Sequence, residues 1–497
     1  MSTTVETLIE KLAEIRRESG PARTTGIADD LLHHRLQSDT LLAEAIEQAH
    51  AEFKGLGVED QRLLHLPEEE ACREVQLQVV NFYPADGINP YLPLAARGPW
   101  IVSFHGAVIH DNGGYGMLGL GHNPPEILRS LGQPMVMANV MTPNRVQKKL
   151  CEKLSAEIGY RRGHCPMPRF IFLNSGSEAV TLTARIVDIH AKKQTTSKGK
   201  SDGRTIRTLG LEGGFHGRTY RPAQLSESTR SAYDSLLASF QEDPGVDFVP
   251  MNDIKALRQA FQQAEQNGVY FQALYIEPVM GEGLPGVAVT REFYDEARRL
   301  CDDHGALLIV DSIQAALRAQ GCLSLTDYPG FEDCASPDME TFSKALNAGQ
   351  YPLSVIALRE EVAAHYVTGV YGNTMTTNPK ALAVACHVLD SLDDGRREHI
   401  RNAGRQLKEG FENLAREVPG ISRVDGTGLM VCAHLDPELY TVNGRGGFEE
   451  YLRLNGIEMI HGGEYGLRFT PHFALDENEI ELILHSVRAG LKALKKG

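Results

Sequence analysis

Short aliphatic runs set the pattern of the middle of the chain. They fall at 169–173, 206–211, 246–250, 273–277, 306–311, 339–342 and 354–358, separated by amphipathic stretches of helical spacing. This alternation, from about residue 100 to 360, predicts βα units and a mostly parallel sheet flanked by helices, an α/β fold. Residues 1 to about 80 read as helical. Leu31, Leu32, Leu36, Leu41, Leu42, Ala45 and Ile46 recur near helical spacing, with Asp29-Asp30 as a start signal. Residues 84–99 are rich in Pro and Gly and mark a crossing segment. Beyond about 376 come a long helix from Pro379, charged helices, short strands near 429–435 and 457–469, and a terminal helix from Glu477. That order predicts a smaller α+β domain. The expected organisation is a helical arm at 1–100, a large domain at 101–375 and a small domain at 376–497.

Composition narrows the class. With 497 residues, 42% of them apolar and 23% charged, the chain has the length for a large buried core. A net charge of −15 argues against non-specific nucleic-acid binding and against a basic membrane face. No apolar run approaches a membrane span, and the first residues carry no basic segment followed by an apolar one. The eight cysteines are scattered without a CxxC pair, which argues against a structural zinc and for reduced thiols in a cytoplasm.

Two residues carry candidate chemistry. Asp311 ends the run 306–311, and Lys344 follows the run 339–342. Ligands of open α/β sheets bind at such strand ends. Burial lowers a lysine pKa and makes the amine a Schiff-base candidate. An acidic partner for a pyridinium nitrogen completes the pattern for pyridoxal 5'-phosphate (PLP). Upstream, Asn174-Ser175-Gly176-Ser177-Glu178-Ala179 follows a strand and opens a helix expected at 179–193. Ser175 and Glu178 have capping-box spacing, and the helix start suits a phosphate. Phe215, in Gly213-Gly214-Phe215-His216-Gly217, sits on a tight turn where its ring can stack on a planar cofactor. His216 is either a base or a hydrogen-bonded structural group.

SGSEA, FHG, IEPVMGEG, DSIQ, SKAL and GNTMTTNP occur in this order. With them the chain resembles the class III, ornithine/4-aminobutyrate type aminotransferases of PLP fold type I, from about Gly106 to Pro471. The resemblance implies PLP as cofactor, a large domain with a mostly parallel sheet and a smaller α+β domain. It implies Lys344 as the Schiff-base lysine and Asp311 as the partner of the pyridinium nitrogen. Gln314 is placed near the phenolic oxygen, Ser175, Gly176 and Ser177 at the phosphate, and Phe215 on the ring. Thr374 would reach the phosphate from a neighbouring subunit, which implies a homodimer or higher. Arg468 resembles the arginine that clamps a substrate carboxylate, while Tyr115 and Tyr371 are further pocket candidates. The implied partners are a small amino donor and an oxo-acid acceptor, with neither nucleic acid nor membrane and with no metal.

The chain also departs from that pattern. The family's Asp-Glu-Val-Gln is Asp311-Ser312-Ile313-Gln314 here, and its Gly-Phe-Gly-Arg-Thr-Gly is Ala316-Leu317-Arg318-Ala319-Gln320-Gly321. The glycine usual before Asn-Pro is Thr377, and the second glutamate of Ser-Gly-x-Glu-Ala-x-Glu is Thr181. Amino transfer is the leading expectation. Racemisation, epimerisation or decarboxylation at the same lysine is the alternative, followed by a non-catalytic relative.

Overall fold

The computed structural model describes residues 4–137, 139–240 and 242–495. The chain divides into two compact units: Met1–Pro125 with Ala403–Asp425 and Val431–Gly497, and Glu126–Asn402 with Gly426–Met430.

The first unit holds the N-terminal helices Val5–Glu18, Asp29–Arg35, Thr40–Lys54, Val58–Leu64 and Glu68–Gln76. Leu32, Leu36, Leu42, Ala45 and Ile46 are buried as their spacing predicts, whereas Leu41 is exposed. The proline-rich stretch 84–99, expected as a crossing segment, contains strand β1 (Pro93–Arg97). β1 pairs with β2 (Trp100–Ser103), which pairs with β3 (Val108–Asp111). Pro93 is tolerated because it opens an edge strand, where a missing N–H breaks no inner ladder.

The second unit is built on seven strands: β4 (Arg169–Leu173), β5 (Thr205–Leu211), β6 (Val246–Val249), β7 (Val269–Ile276), β8 (Leu307–Asp311), β9 (Met339–Phe342) and β10 (Ser354–Leu358). Each lies on an aliphatic run read from the sequence. Their order is β4-β10-β9-β8-β7-β5-β6. β5, β6, β7, β8 and β9 pair in parallel, and β10 runs antiparallel between β9 and β4. Both faces are covered, so most positions of β7, β8 and β10 are apolar without alternation. Leu274, Ile276, Leu308 and Val310 pack with Phe261 and Phe293 of the helices Ile254–Gln266 and Arg291–His304. Ala273, Tyr275, Leu307 and Ile309 pack with Ala179, Leu182 and Ile186 of the helix Gly176–Thr195.

The remaining strands are β11 (Ile421–Thr427), β12 (Met430–Leu435), β13 (Ile457–Glu458), β14 (Ile460–Gly462) and β15 (Gly466–Phe469). β13 pairs in parallel with β3, which is why the first unit runs past residue 100 to Pro125. The segment Gly426–Met430 belongs to the second unit for a local reason. Gly428 has φ +52, and a Cβ there would lie 1.9 Å from the Ala319 carbonyl oxygen. Among the described residues, no helix is long and apolar enough to cross a membrane.

Thr377, one of the departures from the family pattern, is held in a left-handed conformation. Its φ is +68, which favours the glycine usual at this place. The left-handed conformation costs a side-chain-bearing residue roughly 1–2 kcal/mol, and the Thr377 hydroxyl is buried without a hydrogen-bond partner. Thr377→Gly is expected to raise the unfolding free energy by about 1 kcal/mol, after the greater freedom glycine gives the unfolded chain is discounted. Urea denaturation measures this, and an unchanged or lower midpoint contradicts it.

Candidate active site

The carboxyl ends of the parallel strands build the site. A cavity of about 160 Å³ lies there, lined by Ser175, Gly176, Ser177, Phe215, His216, Gly217, Glu277, Asp311, Ile313, Gln314, Ser343 and Lys344. A space of this size holds one six-membered aromatic ring. Seven of the eight cofactor residues expected from the sequence line it. The eighth, Thr374, does not.

Asp311 closes β8 and is buried. His216 Nδ1–H donates to its Oδ2 at 2.8 Å, while the Thr341 hydroxyl and the Ile313 N–H donate to Oδ1 at 3.0 and 3.1 Å. Burial opposes a charge on His216, but the hydrogen bond and the charge of Asp311 prevail and raise the imidazole pKa. Of the two readings open in the sequence, the contact is that of a buried, hydrogen-bonded histidine, held against Asp311. Glu277 follows β7 as Asp311 ends β8, so the same strand-end logic marks it. Its oxygens accept the Phe215 N–H at 2.9 Å and the Gly281 N–H at 3.0 Å.

The opposite end of the cavity is a helix start. The helix begins at Gly176 and runs to Thr195, three residues earlier than expected. Ser175 Oγ accepts the Glu178 N–H at 3.2 Å, which is half of the expected capping box. The Glu178 carboxylate turns instead to the Asn174 N–H at 2.8 Å, to Asn373 Nδ2 at 2.9 Å and to the Tyr371 hydroxyl. It thereby anchors the loop that carries Thr374, whose side is exposed. Gly217, at φ +113, brings the Phe215 turn against this helix start: a Cβ there would lie 2.3 Å from Ser177 Oγ. The Arg218 guanidinium lies 5.1 Å from the Phe215 ring centroid. Lys344 is held at φ +41, a conformation that L residues keep only where the surroundings impose it.

Arg468 and Tyr115 come together in the first unit. Arg468 is buried on β15 between β12 and β14, and its guanidinium lies 5.4 Å from the Tyr115 ring centroid. Tyr115 has φ +59 in a loop where Asp111 accepts the Gly113 N–H at 2.7 Å. A further buried cluster in this unit joins His110 and His472, which both donate to Glu479 Oε1 at 3.1 and 3.0 Å. His110 Nδ1 has no partner. Metal-bound histidines usually anchor that second nitrogen, so the cluster reads as a structural hydrogen-bonded one.

Comparison with known proteins bears on this geometry. The model of the family described as Aminotransferase class-III matches residues 84–491. The chain belongs to the class-III aminotransferase family. It is 30% identical to the acetylornithine aminotransferase of Neisseria meningitidis, over 80% of this chain and 93% of the relative. It is 28% identical to ornithine aminotransferase 2 of Staphylococcus saprophyticus, over 83% of this chain and 98% of the relative. The ornithine aminotransferase structure from Toxoplasma gondii superposes with a TM-score of 0.72 at 23% identity, covering 86% of this chain and 95% of that one. The last likeness establishes the fold, PLP fold type I. As a class-III aminotransferase the protein carries out PLP-dependent amino transfer, which puts that reaction ahead of the racemase and decarboxylase alternatives. The cavity fits the cofactor: helix-start N–H groups and hydroxyls at one end, a fixed carboxylate and a lysine at the other.

Glu277 yields a pH prediction. Burial raises its pKa to about 7; the charge on His216 opposes this and that on Asp311 adds to it. The folded protein therefore holds this proton more tightly than the unfolded chain. The stability this gives is present at low pH and is lost as pH rises toward about 7. Between pH 5 and 8 the loss is roughly 3 kcal/mol. Glu277→Gln in the apo-protein is expected to gain on the wild type by about that amount over this range. Parallel stability-versus-pH curves from urea denaturation contradict the assignment.

Proposed function

We propose that Lys344 attaches PLP through its Nζ, and that Asp311 faces the pyridine nitrogen and keeps it protonated. The observation that carries this is one cavity shared by Lys344, Asp311 and the residues Ser175, Gly176 and Ser177. When bound, PLP supplies an electron sink that makes a substrate C–H bond acidic. Lys344 Nζ carries the proton released at that carbon. Gly176 and Ser177 hold the phosphate with the free N–H groups of the helix start, assisted by Ser175. Phe215 covers one face of the ring, and Gln314 lies beside its phenolic oxygen.

The amino donor is, on this reading, a terminal amine on a carboxylate-bearing molecule of the ornithine or acetylornithine kind, and the acceptor is a 2-oxo acid. The named relatives and Arg468 support that choice, since a guanidinium fork matches a carboxylate. The Tyr115 ring lies 5.4 Å from that guanidinium. The active form is a homodimer or a higher assembly, with Thr374 reaching the phosphate held by the partner subunit. Supporting this, Val136, Met137, Val140, Met141, Val367 and Met375 are between 48% and 82% exposed. Val140 lines a groove of about 900 Å³ beside the edge strand β4. Exposed apolar surface of this extent marks an interface. The eight free cysteines suit a reducing cytoplasm.

Borohydride treatment of the PLP-loaded protein is expected to fix the cofactor on Lys344, located by peptide mass analysis. Lys344→Ala should lower single-turnover amino transfer by a thousandfold or more. A panel of amines and 2-oxo acids, read by the change in the visible band, should single out terminal amines. A protein that stays colourless with PLP sinks the proposal. Sedimentation should give a dimer or larger mass, and a monomer that is active at all concentrations excludes the shared site.

A further inference from the structure

The segment after Asp311 departs most from the family pattern, and the structure reveals a substitute for what it lacks. Where the family carries a glutamate directly after the aspartate, this chain has Ser312. A carboxylate is nevertheless present there, delivered from the neighbouring strand. Glu340 of β9 is fully buried, as are Ser312 and Ser324. Ser312 Oγ donates to Glu340 Oε1 and Ser324 Oγ to Glu340 Oε2, both at 2.5 Å. The Leu325 N–H donates to Oε1 at 3.0 Å.

β8 and β9 are in parallel register, with Val310 opposite Glu340 and Asp311 opposite Thr341. Glu340 and Thr341 are adjacent, so their side chains leave opposite faces of the sheet. Thr341 donates its hydroxyl to Asp311 at 3.0 Å, while Glu340 takes the hydroxyl of Ser312. The Ser312 N–H also donates to the Thr341 carbonyl at 3.0 Å. The end of β8 is therefore gripped on both faces by two consecutive residues of β9. Two residues further on, β9 leads to Lys344.

We propose that Glu340 is a positioning residue for Asp311. Its carboxylate replaces the one missing at residue 312 and ties both ends of the loop 312–325 to β9. Asp311 thereby keeps a fixed orientation toward the cofactor ring.

Three variants test this: Glu340→Met, Glu340→Gln and the swap Ser312→Glu with Glu340→Met. The measurements are the PLP dissociation constant of the apo-protein, the pH midpoint of the visible band of the holoenzyme, and the apo melting temperature. Glu340→Met is expected to weaken PLP binding by about tenfold, the effect of one lost hydrogen bond, and to move the band midpoint. The swap should recover most of both. Wild-type PLP affinity and band midpoint in Glu340→Met, whatever its melting temperature, overturn the proposal. So does a swap that folds and recovers neither. If Glu340→Met does not fold, Glu340→Gln is read by the same two criteria. Failure of the PLP assignment itself shows differently, as a wild-type protein that binds no PLP.

Discussion

A charged carboxylate at the end of a buried strand is stable only where it is paired, and much of the large unit meets that condition for Asp311. Three donors converge on it: His216 from the loop after β5, Thr341 from β9 and the Ile313 N–H from its own loop. Each comes from a different part of the chain, so the site forms only when the strands stand in register. Removing one partner of such a buried pair typically costs about 3–5 kcal/mol. The same contacts that stabilise the sheet leave the Asp311 carboxylate fixed in place at the edge of the cavity.

This arrangement concentrates titratable groups. His216 is pushed toward its charged form by Asp311, and Glu277 toward its neutral form by burial. With its pKa raised to about 7, Glu277 is roughly half protonated near neutral pH. Lys344, which lines the same cavity, adds a strained backbone with φ +41. Strain of that kind, about 1–3 kcal/mol, persists only where neighbouring structure imposes it.

Much of this was legible in the sequence. The seven strands of the large sheet lie on the seven aliphatic runs, because strands covered on both faces leave an unbroken apolar signal. Lys344 and Asp311 were visible as strand-end groups, and a helix after β4 from the capping-box spacing of Ser175 and Glu178, though its start was placed at Ala179 rather than Gly176. His216 and Glu277 were not separated from structural residues, since a histidine and a glutamate acquire their roles from contacts between distant strands. The unit boundary at Pro125 was hidden for a similar reason: β3 joins β13, some 350 residues later in the chain. Glu340 reads in sequence as an isolated charge in a strand, and only the pairing with β8 shows what it holds. Thr374 is exposed and does not line the cavity, so the role expected of it from the sequence finds no contact within one chain.

The most direct test of the account is a crystal structure of the PLP-loaded protein. It predicts continuous density from Lys344 Nζ to the cofactor and the ring nitrogen within hydrogen-bond distance, about 3 Å, of an Asp311 carboxylate oxygen. A cofactor bound elsewhere, or one whose ring nitrogen meets solvent while Asp311 stays paired only with His216 and Thr341, contradicts it.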